Sequence, residues 1–307
     1  MKTAAVILNY NDSDQTIEAV RRIAGFELLN TIIVVDNAST DGSAGKLKNW
    51  LREENRRLTE AEDENEEDET EQFHRYMLVK AERNGGYGYG NNLGVQYAYE
   101  IAGAELVLIA NPDAVFTEEC VREMICCFEN EPQAAVVSVP SEGRNKKPQW
   151  DLSAWPLRSF LGELLNSGPL TRRLFHKALH YPERLFEGGK PVMVDAVHGA
   201  FLMVDADRFM ACGGYDEEMF LYGEENVLAW KMRENGSKTF LLTDQSYIHR
   251  GGGTTVRMMD ALKRQKLRQS SELFYYKKYL EASGIQLFAA RLFQKIVLLE
   301  TGLFMKK

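Results

Sequence analysis

The sequence predicts an α/β fold: a mostly parallel central sheet flanked by helices on both faces. Three observations carry this. Apolar runs alternate with helix-like segments through the first 140 residues. The run "TIIVVD" (31–36) is continuously apolar instead of alternating, as a strand covered on both faces must be. Polar and glycine-rich motifs follow the apolar runs, and in such sheets ligands bind beyond the carboxyl ends of the strands.

Taken in order, "AAVILNY" (4–10) reads as a strand. "DSDQTIEAVRRIAG" follows as a helix capped by Asp or Ser and stopped at Gly25. After "TIIVVD", "ASTDGSAGKLKNWLREE" is a turn into a second helix. "YMLVKA" and "ELVLIA" are two more strands, separated by "NGGYGYGNNLGVQYAYEIAG". The first half of that stretch reads as a flexible loop with exposed amides, and the second half has helical spacing. In "AVFTEECVREMI" Thr117 is the expected cap. The acidic run "TEAEDENEEDETEQ" reads as a solvated insertion without chemistry. Residues 141–192, rich in Pro, Arg and aromatics and without clear periodicity, are expected to form an irregular region over the site.

Composition narrows the function classes. With 307 residues, 44% hydrophobic content and only 8 prolines the chain should bury a sizeable core. A net charge of −8 gives no global attraction to nucleic acid. Cys120, Cys126, Cys127 and Cys212 lack zinc-type spacing and suit reduced thiols in a cytosolic protein. The apolar run at the start is too short for a signal peptide, and no segment reaches the roughly 18 apolar residues of a membrane span, so the chain reads as cytoplasmic.

The strand ends carry the chemistry. "LNYN" supplies Asn9 and Asn11, and "VDNASTDGS" supplies Asp36, Ser39 and Asp41. A carboxylate such as Asp36 at the end of a buried strand can accept hydrogen bonds from a base imide or a ribose hydroxyl. Ser39 and Asp41 serve equally well as helix caps and turn residues. "NGGYGYGNN" fails the dinucleotide template, because Asn91 stands where the third glycine should fall, and with no Lys-Ser or Lys-Thr it is not a P-loop. In "ANPDA", Pro112 restricts Asn111 and Asp113, so the Asp113 carboxylate projects at the sheet edge, suited to a hard cation that also binds phosphate. In "FLYGEENVLAWKMRENG", Glu224 and Glu225 fall at a helix start, where the dipole stabilises their charge and a carboxylate can act as a general base. His249, beside the glycines of "HRGGGTT", can reach a diphosphate or a metal.

Together "LNYN", "VDNASTDGS", "NGGYGYGNN", "NPDA", "HGAFLMV", "GGYDEEMFLYGEE" and "HRGGGTT", in this order over about residues 3–255, resemble the family 2 glycosyltransferases with a GT-A fold, in particular the rhamnosyltransferase-like branch. The resemblance implies transfer of a sugar, with inversion, from a nucleotide diphosphate sugar (UDP- or dTDP-linked) to an acceptor hydroxyl in cell-surface polysaccharide or glycan synthesis, assisted by Mg2+ or Mn2+. It makes Asn9, Asn11, Asp36 and Ser39 contacts to the nucleoside. Asn84, Gly85, Gly86 and Asn91 become contacts to the diphosphate or sugar. Asp113, with His249 as a second candidate, holds the metal, Asn111 standing where the motif's first Asp is usual. Residues 1–140 become a nucleotide-binding half, 141–255 an acceptor-binding half and 256–307 a helical tail.

"EENVL" replaces the family's usual Glu-Asp-Val-Asp-Leu, so the base position falls on Glu225, with Glu224 as the fallback, and Val227 replaces the second Asp. That substitution favours one rival, a non-catalytic module that binds a nucleotide sugar or glycan. A sugar-nucleotide pyrophosphorylase would need a glycine- and arginine-rich loop after the first strand, and this chain has none. In the tail, "GIQLFAARLFQKIVLLETGLFMKK" sets Ile285, Phe288, Ala289, Leu292, Ile296 and Leu299 at helical spacing. That face is expected to pack on the domain or a second subunit, or to touch an anionic membrane carrying a lipid-linked saccharide acceptor.

Overall fold

The computed structural model describes residues 1–62, 75–143, 145–249 and 260–304. The "DENEEDET" part of the acidic run and the glycines after His249 lie outside them.

The central sheet grows from four parallel strands, β1 (Thr3–Asn9), β2 (Thr31–Asp36), β3 (Tyr76–Lys80) and β4 (Leu106–Ala110), lying side by side as β3-β2-β1-β4. Its crossovers are the helices α1 (Ser13–Ile23), α2 (Ser43–Glu62) and α3 (Gly86–Glu100). After β4 come the short β5 (Ala114–Val115), α4 (Glu118–Asn130), β6 (Ala134–Ser138) and β7 (Ser141–Glu142). The stretch without sequence periodicity folds as short pieces: α5 (Trp150–Ser153), β8 (Ala154–Trp155), α6 (Phe160–Ser167), α7 (Pro169–Leu174), α8 (His176–Leu179) and β9 (Val192–Val194). Then follow β10 (Ala196–Val197), β11 (Phe201–Asp205), α9 (Ala206–Ala211), α10 (Glu224–Glu234), β12 (Lys238–Leu241) and β13 (Tyr247–His249), and finally the helices Ala261–Lys278 and Gly284–Phe304.

The full order is β3-β2-β1-β4-β11-β6-β12-β9. Strand β11 enters antiparallel to both β4 and β6, and β9 is antiparallel to β12; the remaining neighbours are parallel. Because β11 runs backwards, its amino end and the residues before it reach the same edge as the carboxyl ends of β1, β2 and β4.

Burial follows the expectation for a two-sided sheet. All six residues of β2 are buried. Ala5 and Ile7 of β1 join a core under α1, α2 and α4, whereas Ala4 and Val6 join a second core under α3, α9 and α10. Full burial of a side chain the size of Val6 or Ile7 contributes about 1.5–3 kcal/mol. Thr117 caps α4, its hydroxyl accepting from the Cys120 amide at 3.2 Å.

Two expectations need correction. The glycine-rich stretch is not a flexible loop: from Gly86 onward it is the first two turns of α3. Its glycines let the helix lie directly on the sheet and the neighbouring loop. A Cβ on Gly94 would meet Val6 at 2.4 Å and Val35 at 2.9 Å, and one on Gly86, at φ 90°, would lie 1.9 Å from the Phe220 carbonyl oxygen. In the tail, the face formed by Ile285, Phe288, Ala289, Leu292, Ile296 and Leu299 points to solvent. The helix instead buries Ala290, Gln294 and Val297. The side chains of Gln269 and Gln294 each donate to the other's backbone carbonyl, at 2.9 and 3.0 Å, which stitches the last two helices together. Ala290 joins Met219, Val227 of α10 and Tyr275, Tyr276 and Tyr279 in a third core cluster.

Candidate functional site

At the carboxyl edge of the sheet opens a cleft of about 1130 Å³. One wall is the sheet edge with Asn84, Gly86 and Asp113, and the other is helical, from α6 to α8 and the helix Ala261–Lys278. The tail contributes to this wall directly through Arg268, Ser271 and Tyr275, and sequence reading had placed it outside the site.

Beside the cleft, four of the residues singled out at the strand ends form one polar network. Asn9 and Asp36 are paired in register across β1 and β2, and the Asn9 amide donates to the Asp36 carboxylate at 2.8 Å. The Ser39 hydroxyl accepts from that amide at 3.1 Å and from the Asn11 backbone at 2.9 Å, and the Ser39 amide donates to Asp36 at 3.1 Å. Asn9 and Asp36 are only 0% and 2% exposed, so in this conformation they hold one another. Asn84 and Gly86 line the cleft, whereas Gly85 packs against Tyr89, and Asn91 is buried, donating to the Tyr87 carbonyl at 3.0 Å. The network and the start of α3 are thus adjacent to the cleft, onto which Asn84, Gly86 and Tyr87 open.

The turn after β4 places Asp113 as anticipated. The Asn111 amide donates to the Ala200 carbonyl at 2.8 Å, the Ala114 amide closes the turn onto Asn111, and Arg22 donates to the Pro112 carbonyl at 2.7 Å. Asp113 is 5% exposed, with a carboxylate oxygen 3.3 Å from His249 Nε2. Burial alone would raise its pKa, but the His249 hydrogen bond and charge outweigh burial and hold the carboxyl below its ordinary value. His249 comes from the end of β13, which pairs antiparallel with β5 just after Asp113.

His198 had not been singled out, although it begins the quoted motif "HGAFLMV". It lies with its ring centroid 5.4 Å from that of His249 and its Nδ1 3.0 Å from the Tyr247 hydroxyl. Burial pushes its pKa down, so the ring is neutral at physiological pH. Asp113 and His249 thus set a carboxylate oxygen and an imidazole nitrogen 3.3 Å apart beside the cleft, two donors of types that divalent cations accept.

Across the cleft, α10 begins after Tyr222 (φ 74°) and Gly223 (φ 92°), a left-handed pair that turns both glutamates inward. Glu225 is half-buried, lines the cleft and accepts from the Gly199 amide at 3.2 Å. Glu224 is buried, with one carboxyl oxygen lacking any partner. Burial, reinforced by the Glu225 charge, pushes its pKa up to about 8. The folded value exceeds the unfolded one, so the stability this group contributes is fully present below about pH 4.5 and lost as pH rises through about 8. Glu224→Gln should therefore unfold at a temperature a few degrees above wild type at about pH 9 and close to it at about pH 5. Parallel melting profiles across that range would refute the burial argument.

Asn226 is held between the two helical regions, its carbonyl accepting from Trp155 Nε1 at 2.6 Å and its amide donating to Glu163 at 3.4 Å. Val227 is fully buried in the third cluster, so its position faces core and not cleft.

With the site geometry in view, comparison with known proteins decides the family. The family model described as "Glycosyl transferase family 2" matches residues 4–208, about two thirds of the chain. The chain belongs to glycosyl transferase family 2. A curated relative, the low-salt glycan biosynthesis hexosyltransferase Agl10 of Haloferax volcanii, is 24% identical over 228 residues, covering 74% of this chain and 60% of the relative. Among solved structures, the mannosyltransferase PcManGT from Pyrobaculum calidifontis, in complex with GDP-Man and Mn2+, superposes with a TM-score of 0.57 at 14% identity over 97% of this chain and 70% of its own. GalNAc-T7 with UDP, GalNAc and Mn2+ gives 0.55 at 14% identity over 81% of this chain and 44% of its own. The family 2 chain therefore has the GT-A fold, with a helical C-terminal region. Among the described residues no helix is long and apolar enough to cross a membrane.

Proposed function

We propose that this chain is an inverting, metal-dependent glycosyltransferase of the rhamnosyltransferase-like branch, moving a sugar from a UDP- or dTDP-sugar to an acceptor hydroxyl in cell-surface glycan synthesis. The observation that carries the reading is the placement of Asp113 and Glu225 on one cleft, with the half-buried His198 lining it as well. Residues 1–140 form the donor half and 141–255 the acceptor half, with the tail 256–307 completing the acceptor wall. Asn9, Asn11, Asp36 and Ser39 are the platform for the nucleoside. Asn84 and Gly86 meet the diphosphate, Gly85 joins them as the residue that opens α3, and Asn91 acts from inside α3 by fixing its first turn.

Asp113 and His249 would hold Mg2+ or Mn2+, and the imidazole ligand suits Mn2+ better than Mg2+, which takes oxygen. Bound there, the ion supplies positive charge to offset that of the departing diphosphate. The Mn2+ in the complexes of PcManGT and GalNAc-T7 supports this choice. Glu225 takes the proton of the acceptor hydroxyl as that oxygen bonds to the anomeric carbon and the bond to the diphosphate oxygen breaks on the opposite face. Glu225 suits this role better than Glu224, whose carboxyl is protonated at neutral pH. One displacement inverts the centre, and no enzyme nucleophile is needed.

Incubating the chain with a panel of nucleotide sugars and Mn2+ tests the reading. Diphosphate release from one donor, faster with a saccharide or lipid-linked saccharide acceptor, is expected. Donor binding without release from any donor would favour a GT-A module that only binds, the reading to which the "EENVL" departure points.

The exposed face of the last helix bears on location. Ile285 and Phe288 are 84% and 70% exposed, Leu292, Ile296 and Leu299 continue the stripe, and Arg291 and Lys295 flank it in solvent. Apolar side chains beside cations suit an anionic lipid surface, so the chain is proposed to sit peripherally on the cytoplasmic face of the membrane. The wild type should float with anionic vesicles, and Phe288→Glu with Leu292→Glu should stay behind. Equal flotation of both excludes the face. Wild type remaining at the bottom, with an apparent mass of two chains, would assign the stripe to a homodimer.

A further inference from the structure

A second ligand cluster lies in the stretch that showed no sequence periodicity. Asp151 of α5, His176 at the start of α8 and His180 immediately after α8 bring their ligand atoms within 4.8 Å of one another, on the helical wall of the cleft. His176 Nε2 is 2.6 Å from one Asp151 oxygen, and His180 Nδ1 is 3.6 Å from the other, too long for a hydrogen bond. The two imidazoles stack with centroids 4.6 Å apart and planes 22° from parallel.

A His176–Asp151 ion pair would account for the first contact but not for His180. The His180 side chain is only 9% exposed, and neither of its ring nitrogens has a hydrogen-bond partner. Buried polar atoms are seldom left so, and a buried, unpartnered imidazole beside a second imidazole and a carboxylate needs an electrophile. Burial also lowers the pKa of His180, keeping it in the neutral form that a metal requires.

The geometry points to a second metal site, Asp151–His176–His180, that takes a borderline divalent ion of the Zn2+ type and leaves its fourth position to an anionic oxygen of a ligand in the cleft. Two imidazoles and one carboxylate form a three-ligand set with an open tetrahedral position, as in catalytic zinc centres. Ligand atoms about 2.0–2.2 Å from a common ion stand roughly 3.4 Å apart, so the short pair must open and the widest pair must close by about an ångström. Asp151 and His176 are partly exposed and can make that adjustment. Arg158 and Arg172 are close enough to depress His180 further, so they oppose a bare dication. An anion in the fourth position offsets them, and the ion with those arginines makes a pocket for a phosphate or carboxylate. This site shares no residue with Asp113 or His249.

The test is binding alone and so is independent of the glycosyl-transfer reading. Tag-free full-length chain carrying Asp113→Asn is stripped with a chelator and titrated with Zn2+ by calorimetry. One equivalent should bind, and His176→Gln or His180→Gln in the same background should weaken it at least tenfold. With Co2+ as the probe, the visible absorption of a tetrahedral ion should appear and vanish in step. If the Asp113→Asn chain takes up no Zn2+, or both histidine variants bind it unchanged, the site is refuted. Should His180→Gln fail to fold, the half-exposed His176 decides the matter, because its replacement removes a ligand without opening the core.

Discussion

Glu225→Gln is expected to slow sugar transfer by roughly 10²-fold while leaving donor affinity within about twofold of wild type. The amide keeps the length and the contact from the Gly199 amide at 3.2 Å but cannot take a proton. Its neighbour cannot substitute, because Glu224 is buried with its pKa raised to about 8 and already holds its proton at neutral pH. Single-turnover rates with saturating donor, beside calorimetric donor binding, separate the two quantities. Equal turnover would remove Glu225 from the chemistry. Glu225→Asp should keep part of the activity, since the shorter arm retains the base but moves it by about one methylene, and misplacement near 1 Å can cost about 10² in rate.

The second large effect is expected at Asp113. Asp113→Asn should weaken Mn2+-dependent binding of the nucleoside diphosphate by about 10²-fold and leave the metal-free component unchanged. The substitution keeps the shape of a side chain fixed by the Asn111–Pro112 turn and removes its charge. His249, 3.3 Å away, loses its anionic partner in the same step, so the two candidate ligands should fail together. Titrating the diphosphate with and without Mn2+ reads this directly, and an unchanged metal dependence would move the ion elsewhere.

The sequence made the parallel half of the sheet legible because its signals are local. A short apolar run of β-branched residues such as "TIIVVD" suits a two-sided strand, and the restricted geometry around Pro112 announces a fixed carboxylate. Glycine was misleading, because its absence of a side chain serves loops and tight packing alike, and only the position of Val6 and Val35 under Gly94 tells which. Residues 141–192 gave no period since helices of four to eight residues complete at most two turns. Thus His176, His180 and Asp151 stayed hidden, and His198 hid inside a motif, "HGAFLMV", that was quoted only for its family resemblance. In the tail the apolar stripe was legible, and of its expected partners the catalytic domain is the one it does not meet, because it faces solvent. The face that packs, with Ala290, Gln294 and Val297, relies on small size and paired amides, which hydrophobic spacing does not register.

The backward strand β11 sets an order of events. Strands β1, β2 and β3 pair across single helical crossovers, whereas β4 must reach back to β1, Leu106 facing Thr3, and cannot find its other neighbour until residues 201–205 have been synthesised. Pairings across so long a stretch are slow, since the intervening chain must be closed before any contact rewards it. Until that seam closes, Gly199 cannot reach Glu225, and Asn111 lacks the Ala200 carbonyl that secures the turn before Asp113. A nascent or refolding chain can therefore pair β1 to β4 before it can recognise a ligand. In a stopped-flow experiment the far-ultraviolet signal should recover well ahead of nucleotide binding.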